Sequence, residues 1–157
     1  MKKYLFFILI FFLLIRSYPL SNTIVENNNQ SIPKVDKIVA NAMQYEGVRY
    51  KYGGTTKKGM DCSGIVYTAF GKENIKLPRT SREMAKRGNK ISLAKVKKGD
   101  LLFFKAGRKY INHVGLVISI KNKQIRFIHA TTSRGVIISL LSEKYWKNAF
   151  VKAVRVL

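Results

Sequence analysis

Apolar side chains follow three patterns in succession along the chain. Lys2 and Lys3 precede an unbroken apolar run from Tyr4 to Ile15. Further on, Val35, Ile38, Val39, Ala42 and Met43 recur at helical spacing, which predicts a first amphipathic helix that ends before Gly47 and turns this stripe into the core. Ile65, Val66, Ala69 and Phe70 keep the same spacing and predict a second helix over Asp61–Phe70, with Cys62 at its start. Thr80 and Glu83 form a capping-box pair, so a short third helix is predicted over Ser81–Arg87, stopped by Gly88. The second half then changes period. Leu101–Phe104, Val114–Ile120, Ile125–Ala130 and Val136–Leu140 are short apolar or β-branched runs separated by Gly, Asn and Lys, the mark of strands, and Ala153–Leu157 reads as an added edge strand. Helices first and strands afterwards predict an α+β fold, with N-terminal helices packed on one face of a small antiparallel β-sheet.

A chain of 157 residues accommodates one ordinary domain and a leader. The first apolar run stops at Arg16, short of the roughly 20 residues a spanning helix needs. Residues 1–21 therefore read as a secretory signal peptide, or as an uncleaved N-terminal anchor, since Pro19 and Leu20 spoil the small-residue cleavage pattern. Residues 22–32, with Asn27, Asn28 and Asn29, read as a polar linker, and residues 33–157 as the folded domain. The expectation is an exported protein of the periplasm, cell envelope or medium. Cys62 is the only cysteine, so neither an internal disulfide nor lipid attachment at the leader is available, and an exported free thiol calls for a reason such as catalysis.

Charge adds a constraint on partners. The formal net charge is +22, or +19 once the three leader cations are removed. Such a surface attracts polyanions, anionic cell-envelope polymers among them, although solvated lysines in a Lys-, Ile- and Asn-rich composition account for it equally well. The leader argues against intracellular nucleic acid, and no recognition helix or aromatic RNA-binding motif is present. The sequence calls for no metal or organic cofactor, and the chain is taken as a monomer.

A thiol at a helix N-terminus meets exposed N–H groups and the positive end of the helix dipole, which favour its thiolate and an oxyanion formed beside it. The two histidines of the chain, His113 and His129, open and close two predicted strands, and adjacent antiparallel strands bring such positions together. One imidazole can then take the thiol's proton while the other fixes its tautomer and tilt. Cys62 alone reads as easily as an inert buried residue, and either histidine alone as an ordinary hydrogen-bonded one; the three together reverse that balance. A zinc site from the same three residues lacks the usual paired-ligand spacing.

The string GVRYKYGGTTKKGMDCSGIVYTAF, continued by LPRTS, GDLLFF, NHVGLVI, FIHATTSRGVIIS and YW, resembles the NlpC family of bacterial cell-wall cysteine peptidases over nearly the whole domain, most closely its murein endopeptidase Spr branch. That resemblance implies a papain-like reduced fold. It implies Cys62 as nucleophile, His113 as base and His129 as the orienting residue. It also implies substrate-binding positions at Tyr50, Asp61 and Ser63, although the residues by themselves read Tyr50 as a core aromatic and Asp61 as a helix N-cap. Lys98 stands where many relatives have Pro, and the connection carrying Lys121, Asn122 and Lys123 reads as longer than theirs. The absent lipid-attachment cysteine departs from Spr and bears on anchoring, not on catalysis.

The expected activity is hydrolysis of an amide in or between the stem peptides of peptidoglycan, through a thioester acyl-enzyme, with the bond undecided between the stem and the cross-link and tilted toward the latter. Two rivals remain: a basic envelope or polyanion-binding protein without catalysis, and an acyltransferase on the same fold.

Overall fold

The computed structural model describes residues 32–157; the predicted leader and all but the last residue of the predicted linker lie outside the described residues. The elements are helix α1 (Lys34–Met43), a small hairpin of β1 (Thr55–Thr56) and β2 (Gly59–Met60), helix α2 (Cys62–Gly71) and helix α3 (Ser81–Met84). There follow β3 (Asn89–Ile91), a 3-10 turn (Leu93–Lys95), β4 (Leu101–Phe104), β5 (His113–Lys121), β6 (Gln124–Thr131), β7 (Gly135–Leu140), helix α4 (Lys144–Ala149) and β8 (Phe150–Arg155). Strands β3 to β8 form one antiparallel sheet in the order β3-β8-β4-β5-β6-β7. The predicted α+β arrangement is therefore present.

The sheet is buried on both faces, and the alternation along β4 shows how. Leu101 and Phe103 join Ile38, Ile65, Phe70 and Leu116 in a core beneath α1 and α2. Leu102 and Phe104 point the other way, into a second core with Val117, Phe127, Leu141 and Trp146. A strand covered on both sides reads as an unbroken apolar run, which is why Leu101–Phe104 shows no polar alternation. The second core is closed by α4, an element absent from the sequence reading.

Two boundaries differ from expectation, and a third connection takes a defined form. The third helix ends at Met84, because the N–H groups of Lys86 and Arg87 bond to carbonyls only three residues back and the chain tightens toward Gly88 at φ +76°. The terminal strand is not an edge: β8 begins at Phe150 and lies between β4 and β3, a three-residue strand too short and polar to announce itself. The connection through Lys121, Asn122 and Lys123 is a two-residue hairpin turn, with Asn122 and Lys123 both at positive φ, which matches the twist of the paired strands.

Asp100, 2% exposed, ties β8 to the start of β4. Its two oxygens accept from Arg155 Nε and Nη2 at 2.8 Å each, and Oδ2 also accepts from the Lys97 N–H at 2.6 Å. At the opposite end of the fold, the first turn of α2 lies so close to the Gly53–Gly54 loop that a Cβ on Gly64 would sit 2.1 Å from the Gly54 carbonyl oxygen. Gly64→Ala therefore forces backbone apart, and we expect it to cost about 1–3 kcal/mol of stability despite alanine's better helix propensity. Urea unfolding of this variant checks that; an unchanged midpoint would mean that the loop yields freely.

Candidate active site

Cys62 is the first residue of α2, and Asp61 is its N-cap. Asp61 Oδ1 accepts from the Gly64 N–H at 2.7 Å and Oδ2 from the Gly53 N–H at 2.8 Å. Arg79 grips the same carboxylate with both prongs, Nη1 to Oδ1 at 2.9 Å and Nη2 to Oδ2 at 2.8 Å, and donates to Ser63 Oγ at 2.8 Å and the Gly54 carbonyl at 3.3 Å. Asp61 and Ser63 are 7% and 6% exposed. Their polar atoms are thus engaged in holding the turn that carries the thiol, while both residues still line the hollow next to it.

The two histidines meet as the strand positions predict. The register Leu116↔Ile128 and Val117↔Phe127 extends to place Gly115 opposite His129, so His113 and His129 are diagonal neighbours on one face. His113 Nε2 and His129 Nδ1 are 3.0 Å apart, with the rings crossed at 85°. A Cβ on Gly115 would meet the Phe127 ring at 2.4 Å; its absence leaves room for Phe127 to stack on His129 at 4.7 Å and 30°. Trp146, delivered by α4, stacks on His113 at 5.1 Å and 21° and meets His129 edge to face at 4.5 Å.

Burial governs the titration of all three groups. It pushes the Cys62 thiol up, against backbone N–H groups of Val114 and Ser63 that favour the anion. Burial lowers His113 to about 4, and lowers His129 further with help from the charges of His113 and Arg134. Desolvation thus favours the neutral forms of the thiol and of both imidazoles. Because His113 Nε2 is engaged by His129, Nδ1 is the ring nitrogen left open, and a tautomer protonated on Nε2 keeps it able to accept a proton. In that tautomer His113 donates from Nε2 to His129 Nδ1, and the proton of His129 sits on Nε2, a buried atom with no hydrogen-bond partner. The thiol itself contacts the Asn112 carbonyl at 4.0 Å, and the Asn112 side chain is pinned to both backbone groups of Ala106.

Cys62, Tyr50 and Asn112 form the divide between two hollows of about 410 and 650 Å³. His113, Arg134 and Trp146 line the first; Asp61, Arg79 and Tyr110 line the second. Tyr50 is fixed by a bridge to Met60, and burial, then the nearby Cys62 and Asp61, raises its phenol, which keeps the O–H available as a donor. One nitrogen of each imidazole is engaged by the other ring at 3.0 Å, which is unsuited to the zinc alternative. Among the described residues no group of three or more His, Cys, Asp or Glu is arranged around a metal position.

Sequence reasoning did not single out Arg79, Asn112 or Trp146. Each lies inside a motif it had quoted, LPRTS, NHVG and YW, but their partners are 16 or more residues distant in sequence or contributed by backbone, and no local pattern reveals those contacts.

A family model described as "NlpC/P60 family" matches residues 47–155. The "Murein DD-endopeptidase MepS/Murein LD-carboxypeptidase" of Escherichia coli is 41% identical over 133 residues, 84% of this chain and 68% of that protein. A "Probable endopeptidase NlpC homolog" of Haemophilus influenzae is 42% identical over 135 residues, 85% of this chain and 69% of that protein. Among solved structures, an NlpC/P60 family protein from Bacillus cereus superposes with a TM-score of 0.71 at 28% identity. That match covers 78% of this chain, which spans about two fifths, 40%, of the solved one.

Two buried neutral histidines make stability depend on pH. The unfolded imidazoles protonate below about 6.5 and the folded ones resist, so stability is complete above that pH and is lost as pH falls toward the folded values. We expect unfolding free energy to drop as pH falls from 6.5 to 5, with a slope that approaches about 1.4 kcal/mol per pH unit for each histidine and that His129→Gln roughly halves. Urea titrations at several pH values measure it; a flat profile would place the histidines in water.

Proposed function

The chain belongs to the NlpC/P60 family, and from that premise we propose that it is a cysteine endopeptidase of peptidoglycan, with Cys62 as nucleophile, His113 as base and His129 as the base's orienting partner. The observation that carries this reading is the placement of the thiol on the divide between two hollows, with the imidazole pair beside it. A peptide laid across both hollows presents an internal amide to the sulfur. Arg134 at one end and Arg82, packed on Tyr110 at 4.4 Å, at the other suit the carboxylates of stem peptides.

The reaction follows from the neutral resting state. As Cys62 Sγ attacks the carbonyl carbon, its proton passes to His113 Nδ1, and the new imidazolium is held by its bond to His129. The carbonyl oxygen becomes an oxyanion, for which the N-terminal N–H groups of α2 and the Tyr50 hydroxyl are the nearby donors. His113 returns its proton to the leaving amine, the C–N bond breaks, and a thioester remains. Water, deprotonated by the same imidazole, then releases the acid and restores the thiol. The thiol is thus ionised only when substrate is present, which keeps an exported cysteine from wasteful oxidation.

The bond between two stems is the favoured target, since the Escherichia coli relative is named as a murein DD-endopeptidase and the resemblance from His129 to Trp146 runs to that branch. The proposed setting is the cell envelope, reached by way of the leader. Anionic envelope polymers are secondary partners of the basic surface.

Residues 32–157, which contain both cores, should convert purified cross-linked muropeptides to their uncross-linked halves, and Cys62→Ala should reduce the rate by at least about 10³-fold. Mass analysis of the products identifies the bond; a transferred acyl group in place of a free acid would favour the acyltransferase, and no products at all would return weight to simple binding. The acid limb of kcat/KM should lie well below pH 6.5, because His113 must be neutral to accept the proton and burial keeps it so down to about 4. A pH–rate profile with that limb at or above 6.5 would show that the resting pair is ionised instead.

A further inference from the structure

Trp146 is the single tryptophan of the chain and is 5% exposed. It belongs to a six-residue helix that has no side-chain N-cap, placed by a 2.7 Å bond from the Leu140 N–H to the Glu143 carboxylate just before it. Much of the second core, made by Phe104, Phe127 and Leu102, is aliphatic or phenyl packing that a smaller apolar residue at this position would complete only in part. What such a residue would not reproduce is a flat ring parallel to His113 within 21° and, at the same time, crossed with His129 at 78°.

We propose that Trp146 is a positioning residue for the reaction: its indole fixes the plane of His113 and shuts water away from the bond between the two imidazoles. This rests on the reading of His113 as the base. The need for such a residue follows from the hydrogen bonds. His113 is oriented by one contact, and its acceptor is another neutral imidazole, a weaker anchor than a carboxylate. Water reaching that contact would compete for the Nε2 proton and free the ring to turn. His129 Nε2, on the far side of that contact, is itself buried. An indole face in parallel contact also favours the imidazolium that forms during attack, without supplying a full charge that would hold a proton there at rest.

The groups around His113 are few. His129 faces it from β6, Cys62 approaches from the start of α2, and Tyr50, Tyr145, Arg134 and Glu143 line the same hollow. The two charged ones, Arg134 and Glu143, are exposed and opposite in sign. The dominant influence on the ring is therefore its covering, and uncovering it raises its affinity for protons.

Two measurements test this, one independent of activity. Imidazolium quenches an indole stacked on it, whereas neutral imidazole does not, so Trp146 emission should fall in a step as pH is lowered well below 6.5. Cys62→Ala should keep that step and His113→Gln should lose it. An emission profile identical in His113→Gln, with both variants folded by circular dichroism, overturns the stacking. On muropeptides, Trp146→Leu should lower kcat at least tenfold with KM changed less than twofold, and move the acid limb upward toward the ordinary imidazole value. Trp146→Phe, which restores a flat ring, should recover most of both. If Trp146→Leu keeps the wild-type kcat and pH profile while Cys62→Ala is inert, Trp146 is core filler and the proposal fails. Should the wild-type protein cut nothing, the peptidase reading falls, and the emission titration still decides whether indole and imidazole are coupled.

Discussion

The carboxylate of Asp61 and the guanidinium of Arg79 form the contact on which the arrangement around the thiol depends. Neither group is there to balance charge in water. Asp61 is 7% exposed, and its carboxylate accepts from the first turn of α2, from the Gly53 loop and from both prongs of Arg79, so three stretches of chain meet on two oxygen atoms. Burying a carboxylate is costly unless its lone pairs are filled, and here they are, with charge-assisted bonds at 2.7 to 2.9 Å. The same knot explains the glycines of the segment. Gly64 lies against the Gly54 carbonyl more closely than any Cβ allows, because the helix must begin where the loop ends, while Gly54 is itself closed in by the Gly59 and Lys51 carbonyls.

A second constraint comes from the sheet. The thiol packs against the core beneath the helices, whereas the imidazoles belong with Phe127 and Trp146 on the opposite face. Thiol and imidazoles meet only at the end of the sheet, where β5 begins and β6 finishes, and where the chain between β4 and β5 brings Asn112 to the sulfur. Two separately packed cores thus have to agree in position at one edge. The tie between Asp100 and Arg155, at the other end of β4, contributes to that agreement by fixing β8 and β4 together.

This division accounts for what the sequence conveyed. Helical and strand periods are local, so α1, α2 and the central strands could be read directly, and the cysteine and both histidines stood out as scarce reactive residues at element ends. The β1–β2 hairpin, β3 and α4 are two, three and six residues long and carry no full period of their own. The position of β8 depends on β3 and was hidden with it. Asp61 was legible as a cap because capping is local; that Arg79 would share its carboxylate was not, since 18 residues separate them. Trp146 was visible as a residue and opaque as a neighbour, because nothing in YW says which rings it will lie against.

The choice of histidine in the third position has a chemical consequence that a carboxylate would not. An anion next to His113 would hold a proton on it and draw the thiol toward an ion pair at rest. A buried neutral imidazole does the reverse: burial lowers both rings and raises the thiol, which favours the uncharged form of all three. The cost appears in the transition state, where charge must develop in a medium that resists it. Oriented N–H groups at the start of α2 meet the negative end of that charge, and the ring system around His113 meets the positive end. In the proposed reaction the driving force lies in fixed dipoles and π faces instead of in a standing ion pair, a form suited to the exported lone thiol proposed above.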